Sequence, residues 1–277
     1  MIEQLRAAWQ YEGELKRLKT GATAFTTTCF ATPMQIGEWA ERGALSSIST
    51  PGAFLLLRRS RHVIHLSHVA ADHQSLSEAL LLLDQLTMVE PIVADLVGQP
   101  ADVEQIANSY ALRGFSSYKE LVRMTRIGSV DDDRTLPEMA VHRAVHIEAA
   151  GVLAFLERLL DPFAEQIPEL EDLESAADRG QILVAANGNA VEGVLIFQTV
   201  GFSNMLRYWF VEPRARGRGI GAVLMRSFLM QIAGSRRIVL WVFSDNADGI
   251  AKYEHYGFRR ENLVDRIMLK SVSGGIG

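Results

Sequence analysis

Residues 208–229, with the sequence YWFVEPRARGRGIGAVLMRSFL, constrain the fold of this chain more than any other segment. They predict an aromatic strand, a turn of arginines and glycines, and a helix in which Ile220, Val223, Leu224 and Phe228 recur at helical spacing. Glycines lower helix propensity at the point where this helix should begin, so the turn needs a further reason for them. A helix N-terminus exposes unpaired N–H groups and attracts anions. The segment therefore predicts a site for a phosphate-bearing ligand.

The turn contains two sets of residues that suit an anion, namely Gly217, Gly219 and Gly221, and Arg214, Arg216 and Arg218. Glycine lacks the Cβ that would keep a bulky phosphate from the backbone N–H groups, and arginine can hold a phosphate through two hydrogen bonds. A P-loop is excluded because Ala222 and Val223 follow the last glycine, where lysine and serine or threonine are required. The glycine spacing also excludes a dinucleotide-binding turn. The alternative is a solvated basic turn beside a tight helix–strand contact.

The rest of the chain alternates between predicted strands and helices, which indicates α/β or α+β domains with mixed sheets. A helix over 2–19 and a strand over 23–30 open the series. The polar, acidic residues 128–138 predict a linker between a domain at 1–127 and a domain at 139–277. The pattern Tyr-x-x-x-Gly-Phe begins at Tyr110 and again at Tyr253, and each time it closes a predicted helix and leads into a strand. We interpret the two halves as a duplicated unit.

Composition excludes several classes of protein. The net charge of −5 over 277 residues argues against generic binding of nucleic acid. A single cysteine, Cys29, excludes a disulfide framework and fits a reducing compartment. The N-terminal residues are charged throughout, unlike a signal peptide, and the apolar runs are too short to span a membrane. We therefore expect a cytoplasmic protein.

Two motifs carry a resemblance to a known family. The segment VEPRARGRGIG resembles the acetyl-coenzyme A signature Arg/Gln-x-x-Gly-x-Gly/Ala of the GNAT N-acyltransferase superfamily, with Arg216, Gly219 and Gly221 at its fixed positions. The segment SDNADGIAKYEHYGF resembles the second signature of that superfamily, with Asn246 after the fifth strand and Tyr253 four residues before a Gly-Phe pair. The resemblance covers about 139–270. It implies two tandem GNAT-like domains, each a mixed, mostly antiparallel sheet flanked by helices, of which 1–127 is degenerate and 139–277 is catalytic.

The resemblance also implies an activity and a set of site residues. It implies an acetyl-CoA-dependent N-acetyltransferase that moves an acetyl group to a primary amine by direct attack in a ternary complex, with acetyl-CoA as cosubstrate and no metal. The backbone of Phe210 and Val211 would pair with the pantetheine arm of the coenzyme, with Asn246 beside it. Tyr253 would contact the coenzyme and protonate the leaving thiolate, since a phenol stays protonated at neutral pH. The residues that would hold the pyrophosphate are Arg216, Gly217, Arg218, Gly219, Ile220, Gly221 and Ala222.

The chain departs from the family pattern at the fourth strand. Many members carry a carboxylate there as general base, whereas residues 204–210 contain no acid and Arg207 stands near that place. A water, a carboxylate from elsewhere, or no base at all remain open. The alternative function is therefore a non-catalytic CoA-binding sensor or partner-binding module.

The remaining expectations concern partners and the N-terminal half. The substrate would be a small-molecule or peptide amine, and the acids within 147–180, Glu165 among them, either favour a cationic amine or form solvated helix faces. After the strand HVIHLS the N-terminal half has no glycine and no arginine in its turn, which indicates lost coenzyme binding. This half would then serve as a partner, a substrate wall or the surface of a homodimer. Its clustered histidines, including His65 and His68, are interpreted as structural rather than as a zinc site.

Overall fold

The computed structural model describes residues 2–20, 22, 24–85, 89–128, 141–188 and 190–271. Its contacts divide the chain into two compact units. Unit 1 consists of Met1–Leu121 and Asn262–Gly277, and unit 2 consists of Val122–Glu261. In each unit, helices pack on a mixed, mostly antiparallel sheet, which confirms the predicted fold class.

Apart from the additional strand β2, the helices and strands follow one another in the same order in the two halves of the chain. The first half contains β1 (Ile2–Gln4), α1 (Ala8–Lys19), β2 (Thr26–Thr27), α2 (Pro33–Glu41), β3 (Leu45–Ser49), β4 (Ala53–Ser60), β5 (Val63–Ala70), α3 (His73–Leu81), β6 (Ile92–Gly98), α4 (Pro100–Ala111) and β7 (Ser116–Ile127). The second half contains β8 (Val141–Arg143), α5 (Ala149–Glu157), α6 (Leu170–Asp178), β9 (Ile182–Asn187), β10 (Ala190–Val200), β11 (Ser203–Val211), α7 (Ile220–Gln231), β12 (Arg237–Phe243), α8 (Ala247–His255) and β13 (Arg259–Lys270).

The sheet of unit 1 runs in the order β1-β3-β4-β5-β6 and continues with β13. The pairs are antiparallel except for β5 and β6, which run parallel. The short strand β2 pairs with β5 outside this order. A core cluster that includes Leu5, Ile36 and Phe54 is buried between the sheet and its first two helices.

The sheet of unit 2 runs in the order β7-β12-β11-β10-β9-β8, with residues 122–127 of β7 in this unit, and the parallel pair is again one step from the end, between β12 and β11. One face packs against α7 through a cluster that includes Leu224 and Phe228, and the other packs against α5 and α6 through a cluster that includes Phe155 and Leu173. The apolar positions predicted for α7 lie in the first of these clusters, so the helical spacing in the sequence is confirmed.

The repeated Tyr-x-x-x-Gly-Phe pattern has the same local structure in both units. Gly114 and Gly257 both adopt positive φ, at +78° and +82°, just after α4 and α8. The ring of Tyr110 contacts Phe115 edge-on at 5.1 Å, and the ring of Tyr253 contacts Phe258 edge-on at 5.8 Å. Tyr110 in unit 1 is therefore the structural counterpart of Tyr253 in unit 2.

Two predicted elements at the N-terminus were wrong in extent. The predicted helix over 2–19 begins only at Ala8, because Ile2–Gln4 pairs with β3 instead. The predicted strand over 23–30 is reduced to Thr26–Thr27. The strand β3, with the sequence LSSIS, was not predicted, since its serines hide the alternation of apolar residues that marks a strand.

The compact units differ from the predicted domains in the place of the last strand. Residues 264–270 of β13 pair with β6, from Val264 opposite Gly98 to Lys270 opposite Ile92, and this pairing draws the C-terminal segment into unit 1. Of the predicted linker 128–138, only Gly128 lies within the described residues. The division into functional domains at 1–127 and 139–277 stays a prediction.

Candidate active site

The strand β11 separates from β12 at the end that leads into the arginine–glycine turn. The two strands pair from Ser203 opposite Arg237 to Leu206 opposite Leu240, although both continue beyond that point. On its other edge, β11 stays paired with β10 as far as Val211. Residues 207–211 therefore direct one backbone edge into a V-shaped opening. An extended ligand can hydrogen-bond to such an edge as an added strand would.

The turn between β11 and α7 uses glycine where other residues would be strained. A short 3-10 helix, Pro213–Ala215, is followed by Gly217 with φ of +79° and Gly219 with φ of +82°. Both values lie in the left-handed region that glycine enters at low cost. Among the described residues, no heavy atom lies within 4 Å of a Cβ built on either glycine. The surface over this turn is therefore open, as the close approach of a bulky anion requires.

The helix α7 begins without a side-chain cap. Gly219 is its N-cap residue, and the first helical hydrogen bond runs from Val223 N–H to the Gly219 carbonyl at 3.1 Å. The N–H groups of Ile220, Gly221 and Ala222 precede that bond and have no acceptor within their own helix. They lie at the positive end of the helix dipole. This arrangement fits a pyrophosphate, since it combines outward N–H donors with a backbone that an anion can approach.

Two other glycines near the site serve packing. A Cβ on Gly221 would lie 3.3 Å from Cζ2 of Trp209, whose indole Nε1 donates to the Gly221 carbonyl at 3.1 Å. Gly193 lies on β10, opposite Val211 of β11. A Cβ on Gly193 would lie 2.8 Å from Cγ2 of Ile220. The tight helix–strand contact that the sequence offered as an alternative is thus present as well. It accounts for Gly221, whereas the positive φ angles account for Gly217 and Gly219.

The arginines of the turn already have partners within unit 2. Arg218 forms an ion pair with Glu192 at 2.7 Å, and Arg216 Nε donates to the Val211 carbonyl at 3.4 Å. The hydrogen bond from Arg218 is the main reason why the pKa of Glu192 lies below its usual range, and Arg214 adds to this effect. The arginines therefore keep the turn electropositive while they also hold it in place.

Tyr253 lies in an aromatic cluster next to β11. Its ring is 5.4 Å from the ring of Trp209, which also contacts Tyr256 at 5.9 Å. Burial raises the pKa of the Tyr253 phenol above its ordinary value, and the carboxylate of Glu165 adds to the rise. Both effects favour the neutral phenol. Tyr253 is therefore protonated at neutral pH, which a proton donor requires.

Asn246 has a structural role at the start of α8. Its side-chain Oδ1 accepts a hydrogen bond from Gly249 N–H at 2.9 Å, which makes it the N-cap of the helix that carries Tyr253. Phe210 and Val211, the other residues predicted to lie along the coenzyme, end the splayed edge of β11. Phe210 packs against the cluster of α5 and α6, and Val211 packs against the cluster of α7.

The nearest acids by sequence are in ion pairs. Glu212 binds Arg158 at 2.8 Å, and Glu192 binds Arg218 as described above. Another acid, Glu165, lies in the loop between α5 and α6. The Tyr208 hydroxyl on β11 donates to the Gln166 carbonyl, which holds this loop against the strand. Glu165 precedes Gln166 in this loop. Burial is the main cause of the raised pKa of both Tyr208 and Tyr253, and the charge of Glu165 adds to it.

Sequence reasoning missed the positions of Trp209 and Glu165 in this site. Trp209 joins Gly221 to Tyr253, and only its place two residues before the end of the strand could have signalled this. Glu165 is one of several acids in its segment, and its spacing does not distinguish it. Within the described part of the chain, no group of three or more His, Cys, Asp or Glu side chains is arranged to hold a metal ion. The helices described there include none that is long and apolar enough to cross a membrane.

Comparison with known proteins agrees with this geometry. The acetyltransferase (GNAT) domain family matches residues 178–260, which contain the glycine turn, α7 and Tyr253. This match identifies a GNAT acetyltransferase domain over residues 178–260 of the chain. Members of the GNAT superfamily use acetyl-CoA as cosubstrate and act on small-molecule or peptide amines.

Individual relatives resemble the chain to different extents. A mycothiol acetyltransferase from a Nocardioides species is 31% identical over 147 residues, which cover 50% of this chain and 49% of the relative. The chain therefore matches only about half the length of that relative. A GCN5-related N-acetyltransferase from Sphaerobacter thermophilus superposes with a TM-score of 0.65 at 12% identity, over 100% of this chain and 96% of that one. A tandem GNAT protein from the clavulanic acid biosynthesis pathway gives 0.57 at 13% identity, over 99% of each chain. At such identities the structures show a common fold.

Proposed function

We propose that the chain is an acetyl-CoA-dependent N-acetyltransferase that transfers an acetyl group to a primary amine, with its active site in unit 2. The observation that carries this proposal is the uncapped N-terminus of α7 directly after the splayed edge of β11. One element offers donors for a pyrophosphate and the other offers a strand edge for an extended arm. The family match over 178–260 supports the same assignment.

The coenzyme, in this proposal, supplies the acetyl group as a thioester. Phe210 and Val211 pair with its pantetheine arm through their backbone, and Asn246 lies beside that arm. The residues that would hold its pyrophosphate are Arg216, Gly217, Arg218, Gly219, Ile220, Gly221 and Ala222. Because two of the arginines already bond within the protein, we assign the main share of binding to the N–H groups of the helix.

Tyr253 acts as the general acid. The amine nitrogen forms a bond to the acetyl carbon while the carbon–sulfur bond breaks, and the electron pair of that bond goes to sulfur. The Tyr253 hydroxyl donates its proton to the sulfur, so that the products are an amide and a free thiol. The raised pKa of Tyr253 keeps this proton in place until sulfur becomes basic.

The same step releases a proton from the amine nitrogen, and we assign Glu165 to accept it. The hydrogen bond from Tyr208 to Gln166 holds the loop of Glu165 against β11, and the Asp161 N–H donates to Glu165 Oε2 at 2.8 Å. This loop joins α5 and α6, so the carboxylate comes from another element than the fourth strand used by many relatives.

The substrate class follows from the same assignment. A carboxylate that receives the amine favours a small-molecule or peptide amine that arrives with a positive charge and loses one proton to the solvent before its nitrogen attacks. The name of the mycothiol acetyltransferase described above also indicates the transfer of an acetyl group. We place the activity in the cytoplasm because a single cysteine fits a reducing compartment.

A matched pair of tyrosine variants tests the proposal. Tyr253→Phe should lower turnover by about 10²- to 10⁴-fold, the usual range for a lost general acid, and leave coenzyme affinity unchanged. Tyr256→Phe removes a hydroxyl from the same aromatic cluster and should keep turnover. Thiol release with a panel of amines measures the rate, and calorimetric titration with CoA measures the affinity. Full turnover in Tyr253→Phe would overturn the assignment.

A second pair tests the base. Glu165→Gln should lower the rate and remove its dependence on the ionisation of a carboxylate, whereas Glu169→Gln, at the N-cap of α6, should keep the wild-type pH profile.

The second candidate function is a CoA-binding sensor or partner-binding module without catalysis. It is favoured by the lack of an acid in residues 204–210 of β11, where Arg207 is exposed. Tight coenzyme binding without turnover of any amine, in the wild type as in the Tyr253 variant, would support it over the enzyme.

A further inference from the structure

The strand β5 of unit 1 separates from β6 just as β11 separates from β12. The two strands pair only at Ile64 opposite Ile92 and His65 opposite Val93, although β5 continues to Ala70 and β6 to Gly98. On its other edge, β5 stays paired with β4 from Val63 to Ala70. Unit 1 thus has the same V-shaped opening at the same place in its fold.

Residues 24–28 lie in that opening. Thr26 pairs with Ala70 and Thr27 with Val69 as the antiparallel strand β2. The pairing is extended at both ends, because the Ala24 N–H donates to the Ala71 carbonyl at 3.1 Å and the Thr28 N–H donates to the His68 carbonyl at 3.0 Å. The segment therefore bonds to the edge of β5 that corresponds to residues 207–211 of unit 2.

The side chains of this segment also engage the counterpart of Tyr253. His68 is fully buried, and its Nδ1 lies 2.8 Å from the Tyr110 hydroxyl and 3.2 Å from Thr28 Oγ1. Its Nε2 lies 3.2 Å from Thr26 Oγ1. The phenol that would face a thioester sulfur in a working site is thus bonded within the protein.

The helix N-terminus is closed as well. The turn from β5 to α3 consists of Ala71 and Asp72 alone, and Asp72 Oδ1 accepts from the Ser75 N–H at 2.7 Å. A carboxylate at this place satisfies an N-terminal donor and puts a negative charge where unit 2 presents a glycine. A phosphate would be repelled here.

We propose that unit 1 carries an internal occupant of its coenzyme slot, in which residues 24–28 take the place of a pantetheine arm, the Asp72 carboxylate takes the place of a phosphate, and His68 binds the hydroxyl of Tyr110. The chain therefore binds one coenzyme molecule, in unit 2. The identification of the opening in unit 1 as a former coenzyme slot rests on the function proposed for unit 2. The closure of that opening by residues 24–28 and Asp72 does not depend on that function.

The number of coenzyme molecules per chain tests this inference. Calorimetric titration of the full chain with CoA should give one site, and Gly219→Val should raise the Kd of that site about 30- to 700-fold. Two sites in the wild type, or one site of unchanged affinity in folded Gly219→Val, would overturn the inference while leaving acetyl transfer intact. No binding to the wild type would instead overturn the proposed function and agree with a closed unit 1.

Hydrogen exchange tests the occupant directly. The amides of Ala24 and Thr28 should exchange slowly, at rates that CoA does not change, because they bond to β5. Thr28→Val keeps the shape of the side chain but removes its bonds to His68, and it should speed the exchange of Ala24 about tenfold. Fast exchange of both amides in the wild type, or protection that arises only with CoA, would overturn the inference.

Discussion

Replacing Gly219 by valine tests the anion site at the start of α7 most directly. Gly219 has φ of +82°, and a β-branched residue held in that region costs about 1–3 kcal/mol. No heavy atom lies within 4 Å of the position that its Cβ would take, so no steric clash adds to this strain. The free energy of unfolding should therefore fall by about 1–3 kcal/mol, a loss that leaves most domains folded.

The effect on coenzyme affinity should be separate from this strain. The valine side chain would cover the surface over the N–H groups of Ile220, Gly221 and Ala222. A hydrogen bond to a charged group contributes about 1.5–3 kcal/mol, so the loss of one or two such bonds should cost about 2–4 kcal/mol of binding free energy. That range corresponds to a Kd about 30- to 700-fold higher.

Gly201→Val is the matched control. Gly201 lies in the turn between β10 and β11 with φ of +59°, and its Cβ position is also open, so this variant carries similar strain away from α7. Calorimetric titration with CoA and urea unfolding should be measured on both variants. Normal affinity in folded Gly219→Val, or an equal loss of affinity in Gly201→Val, would refute the pyrophosphate assignment.

Two further predictions concern stability. Gly193→Ala would bring a Cβ to 2.8 Å from Ile220 Cγ2 and 2.9 Å from Leu224 Cδ1, and this overpacking should lower the free energy of unfolding by about 1–3 kcal/mol in urea. The second prediction concerns His68. Burial lowers the pKa of His68 to about 3, and the charge of His73 adds a smaller effect. As the pH falls below about 6.5, the imidazole of the unfolded chain therefore becomes protonated before that of the folded chain. Stability should fall by up to about 2 kcal/mol between pH 6.5 and 5, and His68→Gln should flatten this slope, although His65 keeps a share of the same sign. An unchanged slope in His68→Gln would count against the neutral buried imidazole.

The parts of the site that the sequence predicted are those encoded by neighbouring residues. The strand, the glycine turn and the amphipathic helix of residues 208–229 are continuous in the chain, and their order leaves few ways to fold them. The Tyr-x-x-x-Gly-Phe pattern is also local, because the positive φ of Gly257 lets the chain turn back and place Phe258 against Tyr253. Such features can be recognised without knowledge of the rest of the fold.

The parts that escaped prediction depend on contacts between distant residues. Residues 23–30 are rich in β-branched and aromatic residues, but only Thr26 and Thr27 pair as a strand, and no periodicity in the stretch indicates where the pairing ends. The pairing of β13 with β6 joins residues more than 160 positions apart. The loop that carries Glu165 is held against β11 by the hydrogen bond from Tyr208 to Gln166, and that bond spans 42 positions.

The two V-shaped openings together give an argument about function that does not depend on the glycine motif. A strand edge with unsatisfied N–H and C=O groups is unfavourable when it lies inside a fold, and proteins generally cover such edges. Unit 1 covers its edge with residues 24–28 and closes the helix N-terminus with Asp72. Among the described residues of unit 2, no strand pairs with the corresponding edge at 207–211, and no side chain caps α7. Because the same fold closes one opening with its own chain, the one that it leaves exposed is best explained by a ligand that completes it.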